Sequence, residues 1–74
     1  MKKVYNNGDV EYQNSDGELH RTVGPTLECA NGDKHWYING KLLASMVSGK
    51  VTICTEGEIP PLIKQSIAIE VLKV

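Results

Sequence analysis

The sequence predicts a mainly β (α+β) protein: an antiparallel β-meander of two to three hairpin repeats closed by one C-terminal helix. Three observations predict it. Asn-Gly pairs recur at 7–8, 31–32 and 39–40, and Asn-Gly is the strongest short hairpin signal. Segments of four to six residues rich in Val, Tyr, Ile, Thr and Leu lie between turn residues, as strands require. Pro60-Pro61 then opens a tail dense in Ile, Leu and Val, a composition unlike the rest of the chain.

The first two observations are parts of one internal repeat. "NGD" occurs at 7–9 and 31–33, with a degenerate "EGE" at 56–58, a spacing of 24 and then 25 residues. Between these anchors Tyr12 aligns with Trp36, "GEL" (17–19) with "GKL" (40–42), and "GPTLEC" (24–29) with "GKVTIC" (49–54). Two full units and the start of a third result. Taken in order, strands are expected near 2–6, 9–14, 18–22, 26–30, 33–38, 41–45 and 50–55. A two-residue type I′ turn is expected at each Asn-Gly, because its positive φ angles suit Asn and Gly and its twist matches the flanking strands. Strand side chains alternate between faces, so Tyr12 and Trp36 are assigned to the core side and Tyr37 to the other.

The tail follows different rules. Two prolines block a ladder at the third repeat's strand position. Pro61 suits a first helical turn, where its missing N–H is no loss. Lys64, Gln65, Glu70 and Lys73 favour a helix over residues 61–73. Its apolar residues wrap most of the way round, which predicts burial on more than one side. A strand over "SIAIEVLKV" is the competing reading.

Composition bounds the function classes. The chain has 74 residues, 41% hydrophobic and 23% charged, as expected of one folded domain over residues 1–74, with the sheet at 1–55 and the helix at 60–73. Net charge is −1 and the basic residues are scattered, which disfavours nucleic acid as a partner. No apolar run approaches the roughly 18 residues that span a bilayer, so no membrane partner is expected. Cys29 and Cys54 form no C-x-x-C, and a cytoplasmic protein with free thiols is expected. They occupy equivalent repeat positions and are expected on one face of neighbouring units, as small buried hydrophobes.

At "GELHRTVGP" followed by "NGDKHWYINGKL", the chain resembles a family of small repeat proteins common in bacteriophages and bacteria. Their units carry G-x-L/x-H-R-x-D-G-P-A and then G-x-x-x-W-Y-x-N-G, and are related in style to MORN-type β-hairpin repeats. The resemblance covers residues 5–45. The chain departs from it at Val23, where the family has Asp, and at Thr26, where it has Ala. In the second copy Leu43-Ala44 replaces His-Arg. The family implies no enzymatic activity. It implies the fold and an origin as a small, phage-encoded accessory protein. With an aromatic and an Arg left over once a small core is filled, the expected function is to bind and modulate a host protein in the host cytoplasm.

The candidate partner-binding residues are His20, Arg21, His35, Trp36 and Tyr37. Arg21 can donate two parallel hydrogen bonds to a carboxylate or phosphate, or instead hold the neighbouring turn. Trp and Tyr dominate interface energetics, yet Trp36 is equally suited to the core. The expected mechanism is occlusion by a sheet face or edge, with Tyr37 and Arg21 as anchors. The alternative is a structural, self-assembling protein, a homodimer through residues 60–74. No catalytic residue, metal ligand or cofactor is expected. Asp9, Asp33 and Glu58 each follow a turn glycine and read as turn residues.

Overall fold

A computed structural model describes residues 1–73, and Val74, the end of the expected dimer segment, lies outside the described residues. One antiparallel sheet contains, in chain order, β1 (Lys2–Val4), β2 (Val10–Tyr12), β3 (Leu27–Glu28), β4 (Lys34–Ile38), β5 (Lys41–Val47) and β6 (Lys50–Ile53). The helix α1 (Pro61–Leu72) follows. The meander and its closing helix are as the sequence predicts.

The turns differ in type from expectation. At 5–9 and 29–33 the Gly N–H donates to the carbonyl three residues earlier, Gly8 to Tyr5 at 3.0 Å and Gly32 to Cys29 at 2.9 Å. Only the glycines there have positive φ, 98° and 97°. These are three-residue loops with a glycine bulge rather than type I′ turns. Asn7 and Asn31 instead accept the N–H of the aspartate two residues on, each at 3.0 Å. Both central residues have positive φ at Asn39-Gly40 (48°, 81°) and at Ser48-Gly49 (53°, 79°), the second of which carries no Asn-Gly.

The aspartates also link one turn to the next. Asp9 accepts the Ala30 N–H at 2.7 Å, and Asp33 accepts the Ser48 N–H at 3.2 Å. Three turns are thereby stapled side by side along one end of the sheet. At the other end Asn14 donates to Asn39 at 3.2 Å.

Residues 18–22 do not form the expected strand. Leu19 makes a lone bridge with Gln13, after which His20 N–H donates to Tyr12 and Arg21 N–H to Tyr37. The segment passes from β2 to β4 and so builds a ladder with neither. The repeat consequently breaks halfway: β3 and β6, aligned in sequence, run in opposite directions. Cys29 and Cys54 sit at opposite ends of the sheet, which corrects the expectation that they share a face of adjacent units. Cys54 is exposed rather than buried.

Cross-strand pairs Lys34–Met46 and Trp36–Ala44 put these side chains on one face, and α1 covers that face. A register shift opposite Trp36 and Tyr37 leaves Leu43 as an extra residue, so Leu43 and Ala44 are both buried. The core is Trp36, Leu43, Ala44, Met46 and Ile63, flanked by Ile38, Val51, Ile59 and Ile67.

The helix starts where Pro60, in extended conformation, offers its carbonyl to the N–H groups of Ile63 and Lys64, both at 3.0 Å. It docks through a single stripe: Ile63, Ser66 and Glu70 are its buried residues. The Trp36 indole N–H donates to Ser66 Oγ at 2.9 Å, and Glu70 lies 3.7 Å from Lys34 and 3.1 Å from Lys73. The expectation of burial on several sides is overturned, since Leu62, Ile69, Val71 and Leu72 are exposed. A buried indole N–H needs an acceptor, and Ser66 supplies it. That requirement brings Ser66 inward beside Ile63, and it leaves Leu62, Ile69, Val71 and Leu72 outside.

Candidate functional site

The His-Arg pair is built into the fold. His20 Nδ1 accepts the Asn39 N–H at 3.0 Å, anchoring the 18–22 segment to the tight turn between β4 and β5. Arg21 donates to the Pro25 carbonyl at 3.0 Å and stacks its guanidinium 3.8 Å from the centre of the Tyr12 ring. Lys2 approaches the same ring at 5.9 Å. Cation–π contact of this kind contributes roughly 0.5–1 kcal/mol at a partly exposed site. It also explains Gly24: a Cβ there would stand 2.9 Å from the guanidinium.

Arg21 also lines a groove. Between the 21–25 loop and α1 lies a cavity of about 310 Å³ lined by Arg21, Val23, Glu28, Leu62, Ile69 and Glu70, among others. Its apolar part is Val23, Leu62 and Ile69, all exposed. Its charged part is one guanidinium and two carboxylates. Such a site can hold an apolar side chain while a charged group is oriented beside it.

The sequence-derived site residues do not converge. Trp36 has no exposed surface, so it serves the core and leaves the set of contact residues. Tyr37 alternates with Trp36 and points to the face away from α1, while Arg21 lies on the α1 side. The two expected anchors therefore cannot touch one partner surface together. His35 shares the outer face with Tyr37, where its Nδ1 lies 2.9 Å from Ser45 Oγ across β4 and β5. This is an ordinary cross-strand polar pair on an open face, where none of the best-formed cavities includes it. Val23 is what the sequence reading missed, and the outer residues of α1 entered it only as part of the expected dimer segment 60–74. A signal existed at Val23, which replaces the Asp of the resembled pattern with an apolar side chain on an exposed loop.

The thiols differ in environment. Burial, and after it the carboxylates of Asp9 and Asp33, push the Cys29 thiol up, against a smaller opposing effect of Lys34. Cys54 is exposed. Since the thiolate is the reactive form, a raised value lowers the reactive fraction at neutral pH. Iodoacetamide labelling followed by peptide mass spectrometry is expected to modify Cys54 about tenfold faster than Cys29 near pH 7. The gap should narrow as the pH is raised and Cys29 ionises. Equal rates at neutral pH would contradict this assignment. No group of three or more His, Cys, Asp or Glu side chains with metal-site geometry occurs among the described residues, and none of their helices is long and apolar enough to cross a membrane.

No protein-family model, curated protein or solved structure matches the chain.

Proposed function

We propose that the protein is a non-enzymatic protein-binding module that works through the groove between α1 and the 21–25 loop. The observation that supports this reading is the exposure of Val23, Leu62 and Ile69 beside an Arg21 whose side chain is already held in place by Tyr12 and Pro25. A guanidinium fixed before binding loses less side-chain freedom on contact, so more of its interaction energy appears as affinity. The resemblance to small phage repeat proteins suggests the use: an accessory protein that covers the working surface of a host protein. The contact surface in this reading is the helix side, with Arg21 as its charged anchor, and Tyr37 lies outside it.

The test is affinity capture from bacterial lysate with tagged wild type and with Val23→Glu and Leu62→Glu. Each variant places a carboxylate in the groove while the core is untouched. A host protein held in near-stoichiometric amount by wild type, and reduced at least about tenfold in both variants with unchanged melting, is the expected result. Retention by all three proteins would rule out the groove as the contact.

A further inference from the structure

The outward side of α1 carries an apolar strip in addition to the one that docks on the sheet. Successive residues advance about 100° around the axis, which places Pro61, Leu62, Gln65, Ala68, Ile69 and Leu72 on one strip about 120° wide. The strip carries no charge, although Lys64, Glu70 and Lys73 lie elsewhere on the same helix. Leu62 is 52%, Ile69 53% and Leu72 85% exposed. A helix that docks through Ile63, Ser66 and Glu70 and still leaves a second, uncharged and largely apolar stripe in water is the arrangement of an element that has a second partner.

We infer that a second copy of this chain covers the strip, with the two α1 helices antiparallel across a two-fold axis at the level of Ile67. This rests on the reading of the helix side as a protein-binding surface, and it adds a second occupant, which competes with a host protein for Leu62 and Ile69. Three observations select a second copy. Leu62, Gln65, Ile69 and Leu72 follow a 3-4-3 spacing, the seam of a packed helix pair, and that spacing reads identically from either end. A two-fold contact must be self-complementary, and here Leu62 faces Leu72 of the partner subunit while Gln65 faces Ile69 of the partner subunit.

The charges fit as well. The antiparallel order brings Lys73, at the end of one helix, beside the acidic approach to the other, where Glu56 and Glu58 precede Pro60. No like charges meet along the seam.

Area is the third observation. Leu62, Ile69, Leu72 and Val23 (71% exposed) together present on the order of 450 Å² of side-chain surface per copy. Doubled, that approaches the ~1,000 Å² lower bound of a specific interface. The contact is therefore expected to be a dimer that dissociates on dilution.

Sedimentation equilibrium from about 5 μM to about 1 mM tests it on the full chain, with wild type, Ile69→Glu and Lys64→Glu. Ile69 and Lys64 are both exposed on α1, but only Ile69 lies on the strip. Wild type and Lys64→Glu should show a monomer–dimer equilibrium, with Ile69→Glu weakened at least tenfold and its thermal melt unchanged. A wild type that stays monomeric throughout overturns the inference, and so does a dimer indifferent to Ile69→Glu. In either case a captured protein lost on Val23→Glu and Leu62→Glu would leave the binding-module reading standing with a different partner.

Discussion

Trp36→Ala should leave the protein largely unfolded at room temperature, where wild type melts cooperatively. Trp36 has no solvent-exposed surface and is the largest fully buried side chain. Truncating a buried Trp to Ala costs about 3–5 kcal/mol. The single core of a chain this short rarely supplies more than about 3–5 kcal/mol of net stability, so that loss consumes most of it. Among the described residues, only four other buried apolar side chains share the load, one of them the helical Ile63.

Two milder substitutions separate packing from hydrogen bonding. Ser66→Ala strands the indole N–H in the core and should cost about 1–3 kcal/mol. Trp36→Phe removes that donor with less loss of volume. Adding Ser66→Ala to Trp36→Phe should then cost much less than Ser66→Ala alone, because no buried donor remains to be satisfied. Urea denaturation followed by circular dichroism reads all four proteins. Simple additivity would show that the 2.9 Å contact does not couple helix to sheet.

What was legible in the sequence is what local chemistry decides. Alternation put Tyr12 and Trp36 on one face and Tyr37 on the other. Pro60-Pro61 marked the helix start, and the repeat located the turns. Asn-Gly specified that a reversal occurs but not which kind. At 7–8 and 31–32 the following aspartate closes an Asn–Asp hydrogen-bond pair and stabilises a longer loop. At 39–40 the residue after Gly is Lys41, no such pair exists, and the two-residue turn forms.

The illegible features depend on contacts distant in sequence. The 18–22 segment has strand composition, yet its donors find β2 and β4 at the same time. Helical periodicity cannot choose which side of α1 faces inward when apolar residues surround it. The choice falls to Ser66 and Glu70, whose partners Trp36 and Lys34 are more than 25 residues away in sequence. The candidate site inherits this. The pattern singled out His20 and Arg21, but whether Arg21 lies beside Tyr37 or beside Leu62 was decided by the helix.

Thr26→Val is expected to destabilise the protein by about 1–3 kcal/mol although it conserves shape and adds apolar surface. Thr26 is fully buried. Its hydroxyl donates to the Tyr37 carbonyl at 3.0 Å and accepts the Tyr37 N–H at 2.7 Å. One side chain thus completes both backbone positions of a residue that β3, only two residues long, is too short to reach. Valine would leave the Tyr37 N–H without its acceptor beside the fully buried residue 26, whereas the carbonyl keeps the Arg21 N–H at 3.3 Å. The loss should therefore be dominated by one stranded donor. Thr26→Ser, which keeps the hydroxyl and gives up a methyl group, should lose about 1 kcal/mol. The order Thr, then Ser, then Val in denaturation midpoint is the expected outcome. Its reversal would mean that burial of the methyl group, not the double hydrogen bond, fixes the short strand to β4. The position also bears on the groove. Thr26 follows Gly24-Pro25, and the Pro25 carbonyl holds the Arg21 guanidinium. A Thr26→Val protein that remains folded should present Arg21 less rigidly and bind its partner more weakly than its stability alone explains. In that protein the loss of affinity should track loosening of the 21–25 loop, measured by amide hydrogen exchange, rather than any change in the exposed side chains.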